Sequence, residues 1–358
     1  MAITLHKPAD AELEVSLFGP GTGECIVAHL GGGDWMIVDS CTAAQSRTPV
    51  ALDYLESIGV GVESVKVVVI THFHDDHIRG MSAIIERCVN ARICISGALT
   101  EQESIAFAMA HSLNDAFSDL AKPSTHELAN VLRMIDTDGG KRSYTLVSED
   151  KVLHRSGTSI VHALSPSDRA LVQSKLKFDS LVSDSAVAFR KLANKLSPNL
   201  CAVALHICNG KDTILLGSDL EVSGTPYLGW EAVLASVSKP NTKAALFKIP
   251  HHGSANGHSD DVVATMLGVK PVSIITTMNT HALPKPSDLD RVKGFSSSVF
   301  LTTEPLVRPP ARSRAVEEQL KMVVKRRRVI PNYIGHIRVR MLNGVVSVEL
   351  NDNAKEAA

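Results

Sequence analysis

Residues Val67 to Gly80 read V-V-V-I-T-H-F-H-D-D-H-I-R-G, and no other stretch constrains the fold as tightly. The apolar β-branched run predicts a buried strand over Val65 to Ile70. His72, His74, Asp76 and His77 follow at its exit as H-x-H-x-D-H. In an extended segment residues two apart point the same way, so His72 and His74 can grip one cation from one side. The chain then turns, and Asp76 and His77 open a helix predicted to run through Met81, Ile84 and Ile85. Four donors in six residues, on a strand-to-helix corner, suit two neighbouring metal positions better than one closed tetrahedral site.

The rest of the chain is that of an ordinary globular protein. With 358 residues it can bury a large core, and 44% hydrophobic against 21% charged residues is consistent with that. No apolar run is long enough to span a bilayer, and Met1 to Glu14 carries charges where a signal peptide needs an apolar core, so the expectation is a cytoplasmic protein without a membrane partner. Lys plus Arg number 37 against 38 Asp plus Glu, so any contact with a polyanion must be local. Cys25, Cys41, Cys88, Cys94, Cys201 and Cys208 show no C-x-x-C spacing and read as reduced core residues.

Strands are predicted over Glu12 to Phe18, Cys25 to His29 and Trp35 to Val38, the last ending at Asp39-Ser40-Cys41. A helix follows over Val50 to Ile58, and Ala91 to Ser96 forms the next strand. This strand-helix-strand order fits an α/β layered core. Segments 100–135 and 167–196 read as helical insertions in a single domain of residues 1–358, since neither holds enough large apolar residues for a core of its own. Tyr144 to Val147, Ser159 to Leu164, Cys201 to Cys208 and Thr213 to Leu216 read as strands, the last ending at Gly217-Ser218-Asp219. Ala244 to Ile249 leads into Pro250-His251-His252-Gly253-Ser254, and adjacent histidines at a strand exit are hard to explain by packing. Val272 to Thr277 leads to Met278-Asn279-Thr280-His281, and a hairpin over Ile337 to Leu350 closes the chain.

On these motifs the sequence resembles the metallo-β-lactamase superfamily, and its second half is most similar to the metallohydrolase domain of ComEC-type competence proteins. The resemblance spans residues 12 to 350 and implies a four-layered αββα sandwich with one or two metals at one edge, where a metal-bound hydroxide attacks an ester, amide, thioester or phosphodiester. It implies His72, His74, Asp76, His77, Asp219 and His252 as metal ligands, with Asp76 also orienting the hydroxide and Asp39 supporting the metal loop from behind. Of the adjacent pair, the Lys-x-Pro-His-His-Gly-Ser pattern, with Lys248 in register, favours His252 as ligand and His251 facing substrate oxygens; the opposite assignment stays open. His162 is a further candidate ligand, because many relatives carry a histidine between the signature and the bridging aspartate. The competence-type subgroup instead has an apolar-x-Pro stretch, which Leu164-Ser165-Pro166 matches. Ser218 stands where relatives usually have glycine.

Three functions fit. A phosphodiesterase acting on a nucleic acid or nucleotide would use His251 or His281 to protonate the leaving oxygen, Ser254 and Asn279 as substrate contacts, and a basic run of Lys321, Lys325, Arg326, Arg327 and Arg328, with Arg308, Arg312 and Arg314 upstream, to neutralise phosphates. The same run also reads as a solvated helix face balanced by Glu317 and Glu318. A carbon-ester hydrolase (lactonase, thioesterase or β-lactamase) would use the same metals beside an apolar pocket. A metal-stabilised binding module with decayed chemistry would lack ligands, and the strong ones are all here. Zinc best fits the imidazole-rich set, with manganese or iron open.

Overall fold

The structure is a computed structural model that describes residues 6–21, 23–43, 48–98, 106, 123–139, 142–182, 197–305, 313–323 and 334–357. Sixteen strands among these residues form two eight-stranded sheets. The first runs in the order β15 (Val345–Asp352), β14 (Gly335–Leu342), β1 (Leu13–Gly19), β2 (Cys25–His29), β3 (Trp35–Val38), β4 (Val65–Ile70), β5 (Arg92–Ser96) and β6 (Tyr144–Val147). The second runs in the order β16 (Lys355–Glu356), β13 (Ser298–Leu301), β12 (Leu267–Ile275), β11 (Ala244–Lys248), β10 (Asp212–Leu216), β9 (Leu205–Asn209), β8 (Ser159–Ala163) and β7 (Val152–Ser156).

The alternation of each strand decides the layers. Leu13, Val15, Leu17, Ile26, Val67 and Val69 from the first sheet meet Val161, Leu205, Ile214 and Leu246 from the second in a core between the sheets. The opposite face of the first sheet, with Val68, Ile70 and Ile93, packs on the helices α1 (Val50–Ser57), α3 (Met81–Arg87) and α4 (Pro123–Thr137). The outer face of the second sheet, with Leu215, Phe247 and Ile275, packs on α6 (Gly229–Ala235), α7 (Asp260–Met266) and α8 (Pro286–Phe295). This is the αββα sandwich that the resemblance implied. The described cysteines are all free and, except for Cys208, buried.

Several elements differ from expectation. The helix expected from Asp76 through Ile85 is two helices, α2 (Asp75–Ile78) and α3, because Gly80 takes a left-handed φ of 81° between them. The strand expected from Cys201 begins only at Leu205, since Pro198 starts a short 3-10 helix that runs to Cys201. β7, β13 and β16 are additional. The helices α4 and α5 (Asp168–Val182) fall in the expected insertions, whose remainder, like Arg308, Arg312, Lys325, Arg326, Arg327 and Arg328, lies mainly outside the described residues. Of the basic run, Arg314 is almost fully exposed and pairs with Glu318 at 3.1 Å on α9 (Arg314–Val323), as on a solvated helix face. No helix among the described residues is long and apolar enough to cross a membrane.

The sandwich edge closes by very close approach. Gly19 and Gly335 face each other across β1 and β14. A Cβ on Gly335 would lie 1.3 Å from the carbonyl oxygen of Thr302, and one on Gly19 would lie 2.5 Å from Thr276 Cγ2. Gly335→Ala is therefore expected to lower unfolding stability by about 1–3 kcal/mol through forced backbone displacement, read as a lower denaturant midpoint at unchanged slope.

Candidate metal centre

The strands that run parallel, β3 with β4 and β10 with β11, all end toward the same edge of the sandwich. Their exits deliver Asp39, His72, Asp219 and His252, and α2 adds Asp76 and His77. Open α/β sheets bind ligands outside such carboxyl ends, where loops can carry chemistry without disturbing the ladder.

Each buried imidazole is oriented from behind. His77 Nδ1 donates to Asp39 Oδ2 at 2.7 Å. His252 Nδ1 donates to the carbonyl of Thr276 at 3.0 Å. Thr71 gives its hydroxyl proton to Asp39 Oδ2 (2.7 Å), so its oxygen can accept from His72 Nδ1 at 3.0 Å. Asp39 Oδ1 also accepts from the Thr71 amide at 2.8 Å, so both carboxylate oxygens are engaged. These partners fix one proton on each Nδ1 and turn each Nε2 inward. His72 is neutral there, whereas Asp219, Asp76 and Asp39 outweigh burial and hold His77 well above the ordinary histidine value, so a cation at its Nε2 would replace a proton.

The three Nε2 atoms converge on one oxygen. Asp219 Oδ2 lies 3.4 Å from His77 Nε2, 3.7 Å from His252 Nε2 and 3.8 Å from His72 Nε2. Asp76 Oδ2 lies 3.3 Å from His252 Nε2 and 3.5 Å from His77 Nε2. His74 brings Nδ1 to 3.1 Å from His72 Nε2. Besides Asp39 with His72 and His77, whose carboxylate already accepts from Thr71 and His77, two sets of donor atoms result among the described residues, His72 with His74 and Asp219, and Asp76 with His77, Asp219 and His252. Asp219 belongs to both sets, as an aspartate shared by two cations would.

Electrostatics and strain agree with that grouping. Burial opposes ionisation of Asp219, but the imidazoles of His77 and His252 outweigh it and hold the carboxyl well below its usual range. Burial, reinforced by His77 and His74, holds His72 well below the ordinary histidine value and hence neutral. His77 Nε2 is buried without a hydrogen-bond partner, a costly arrangement unless a cation meets it, while Asp219 Oδ1, also without a hydrogen bond, lies 4.0 Å from the Lys248 ammonium. Four of the nine non-glycine residues with positive φ among the described residues are here: Asp39 (58°), Ser218 (46°), His251 (47°) and His252 (54°). Glycine would hold the φ of Ser218 more easily.

The remaining candidates divide. His251 sits beside the cluster with both ring nitrogens engaged: Nδ1 with Asn256 Oδ1 (2.8 Å) and Glu221 Oε1 (3.2 Å), and Nε2 with Asn199 Nδ2 (3.2 Å). Burial opposes its charge, but Glu221 and Asp219 outweigh it and hold His251 above the ordinary value. Asn279 and His281 stand on the loop after β12, where the Asn279 amide donates to Gly21 at 2.8 Å and His281 is exposed. Ser254 makes no side-chain cap to the turn that follows it. His162 is not brought to the cluster. Val161 and Ala163 point into the core between the sheets, so His162 points the other way, opposite His206 across the strand pair.

Glu221, Asn199, Asn256, Thr71, Thr276, Glu24 and Lys248 complete the site, and none of them is a motif position for metal in the sequence. Of these only Lys248 carried a signal, as the first residue of the Lys-x-Pro-His-His-Gly-Ser pattern. Because Asp39 orients His77 and, through Thr71, His72, Asp39→Asn should lower divalent-metal affinity roughly 10–100-fold with the fold retained, measured by competition with a chromophoric chelator.

Residues 18–123 match the family model described as the metallo-beta-lactamase superfamily. No curated protein matches the chain. Among solved structures, a HARLDQ-motif mutant of the metallo-beta-lactamase from Cronobacter sakazakii is 14% identical with a TM-score of 0.33, over 59% of this chain and 64% of that one. AidC, a dizinc quorum-quenching lactonase, is 14% identical with a TM-score of 0.31, over 55% of each chain. AbOPH, a hydrolase in the beta lactamase superfamily, is 12% identical with a TM-score of 0.35, over 60% and 72%. The chain thus spans less than two thirds of the first of these structures, and likeness at that level says nothing of substrate. The H-x-H-x-D-H segment lies inside residues 18–123, the part of the chain that matches the metallo-beta-lactamase superfamily model.

Proposed function

We propose that the protein is a metal-dependent phosphodiesterase, acting on a nucleic acid or nucleotide with two divalent cations, zinc foremost. The observation that carries the reading is the convergence of three imidazole Nε2 atoms on Asp219 Oδ2, each with its Nδ1 tied back. A donor set of nitrogen and carboxylate oxygen suits zinc, and the two carboxylates also admit manganese or iron. Cations bound there supply Lewis acidity and bring a water's pKa toward neutrality.

The chain's own residues do the rest. Asp76, partly exposed at the mouth, is an acceptor that can orient an attacking water. His251 is the proton source for the leaving oxygen when its ring is charged, the form that Glu221 and Asp219 favour against burial. Glu221 and Asn256 keep the ring in place through Nδ1, and the Asn199 amide nitrogen, 3.2 Å from Nε2, gives way when Nε2 carries the proton to substrate. His281, Asn279 and Ser254 offer polar contacts on the loops after β12 and β11. Such a rim supports a charged, oxygen-rich substrate over an acyl group, which would call for an apolar wall. The likeness of the second half to the competence-type subgroup supports the same class. We read 100–135 and 167–196 as insertions of this one domain.

The test is hydrolysis of labelled single-stranded DNA and RNA by protein loaded in turn with zinc and manganese, beside a His74→Ala, Asp76→Ala variant. Metal-dependent cleavage that disappears in the variant is the expected result. Full metal occupancy without cleavage, together with turnover of a lactone or thioester, would replace the phosphodiester reading with the carbon-ester one.

A further inference from the structure

A buried ion pair lies directly behind the cluster, and no metal ligand set includes it. Lys248, the last residue of β11, is 0% exposed, and Glu24, on the loop between β1 and β2, is 1% exposed. Lys248 Nζ meets Glu24 Oε1 at 2.7 Å and donates to the carbonyl of Ser218 at 2.9 Å. It also lies 4.0 Å from Asp219 Oδ1. The Glu24 amide donates to the carbonyl of Asp76 at 2.8 Å. The Ser218 carbonyl, held in a left-handed turn, also accepts from the His251 amide at 3.0 Å.

Burying an ammonium and a carboxylate is expensive, and a pair of this kind is poor support for stability alone. Its placement points to another use. It ties together the three loops that carry Asp76, Asp219 and the His251-His252 pair. It also divides the labour of one carboxylate, because Asp219 Oδ1 turns toward the ammonium while Oδ2 turns toward the imidazoles. Lys248 satisfies the outer side of Asp219 by charge without reaching hydrogen-bond distance.

We infer that Lys248 and Glu24 are positioning residues that set the rotamer of Asp219 and the spacing of the two donor sets. The inference rests on the reading of the cluster as a metal centre. Glu24 matches the ammonium in charge, so that Lys248 does not repel cations held a few ångströms away. Neither residue touches substrate.

The experiment measures Zn2+ and Mn2+ affinity by chelator competition, and thermal midpoint without metal, for the wild type and three variants. Lys248→Met should lower both, since it strands a buried carboxylate. Glu24→Leu, Lys248→Met together should recover the midpoint, as an apolar pair of similar size replaces the ions, yet bind metal about 10–100-fold more weakly. Glu24→Gln keeps the shape and leaves the lysine charge uncompensated, and should weaken binding about tenfold in a folded protein. Wild-type affinity in both Glu24→Gln and the recovered double variant would overturn the inference and reduce the pair to packing. If the wild type itself binds no better than His74→Ala, Asp76→Ala, the metal reading fails rather than the positioning one.

Discussion

Three imidazole Nε2 atoms and two carboxylates are aimed at one small buried volume, and the architecture around it serves to hold that arrangement together. The two carboxylates repel each other at such range in a low-dielectric interior, and without a cation a proton on His77, favoured by Asp219, Asp76 and Asp39 against burial, offsets part of that repulsion. The repulsion is contained because each imidazole is held from behind by an acceptor for its Nδ1 proton: Asp39 for His77, Thr71 for His72 and the Thr276 carbonyl for His252. Those holders come from the exits of β3, β4 and β12. The two sheets are therefore more than a scaffold, since closing the sandwich brings His252 and Asp219 from the second sheet onto the loop that leaves the first.

The close approach at the sandwich edge belongs to the same requirement. Gly217 shows it at the site, where a Cβ would lie 2.8 Å from Pro250 Cγ. A side chain there would push the Asp219 turn away from the His251-His252 turn. The left-handed φ values at Asp39, Ser218, His251 and His252 are local strain that the surrounding ladder and core impose. Packing energy spent on unfavourable backbone is a familiar feature of sites that must be rigid before their ligand arrives.

Much of this was legible in the sequence, for reasons that can be named. The apolar run of β4 and the histidines just beyond it are contiguous, so periodicity and spacing alone placed four donors on a strand-to-helix corner. Asp219 and His252 likewise follow apolar strands directly. The break between α2 and α3 was hidden because Met81, Ile84 and Ile85 continue a helical pattern across Gly80. β7 was hidden because Val152 to Ser156 mixes a histidine and an arginine into a short edge strand with a single buried apolar side chain. Glu24 and Asn199 matter only through partners distant in the chain, and no local pattern announces them; Lys248 stood in a motif, but its pairing with Glu24 was invisible for the same reason. His162 had a plausible position in the order of motifs, but the alternation of β8 points it away from the cluster.

The central claim is that this volume is a two-cation site, and metal content tests it without any assumption about substrate. Protein purified and reconstituted with zinc, then freed of loose metal and analysed by inductively coupled plasma mass spectrometry, should hold about two equivalents per chain, the number expected for a carboxylate shared between two cations. His252→Ala should bring the figure toward one by weakening the set that contains Asp76 and His77. Less than one equivalent in the wild type, or a value unchanged by removing His72 and His77 together, would contradict the account.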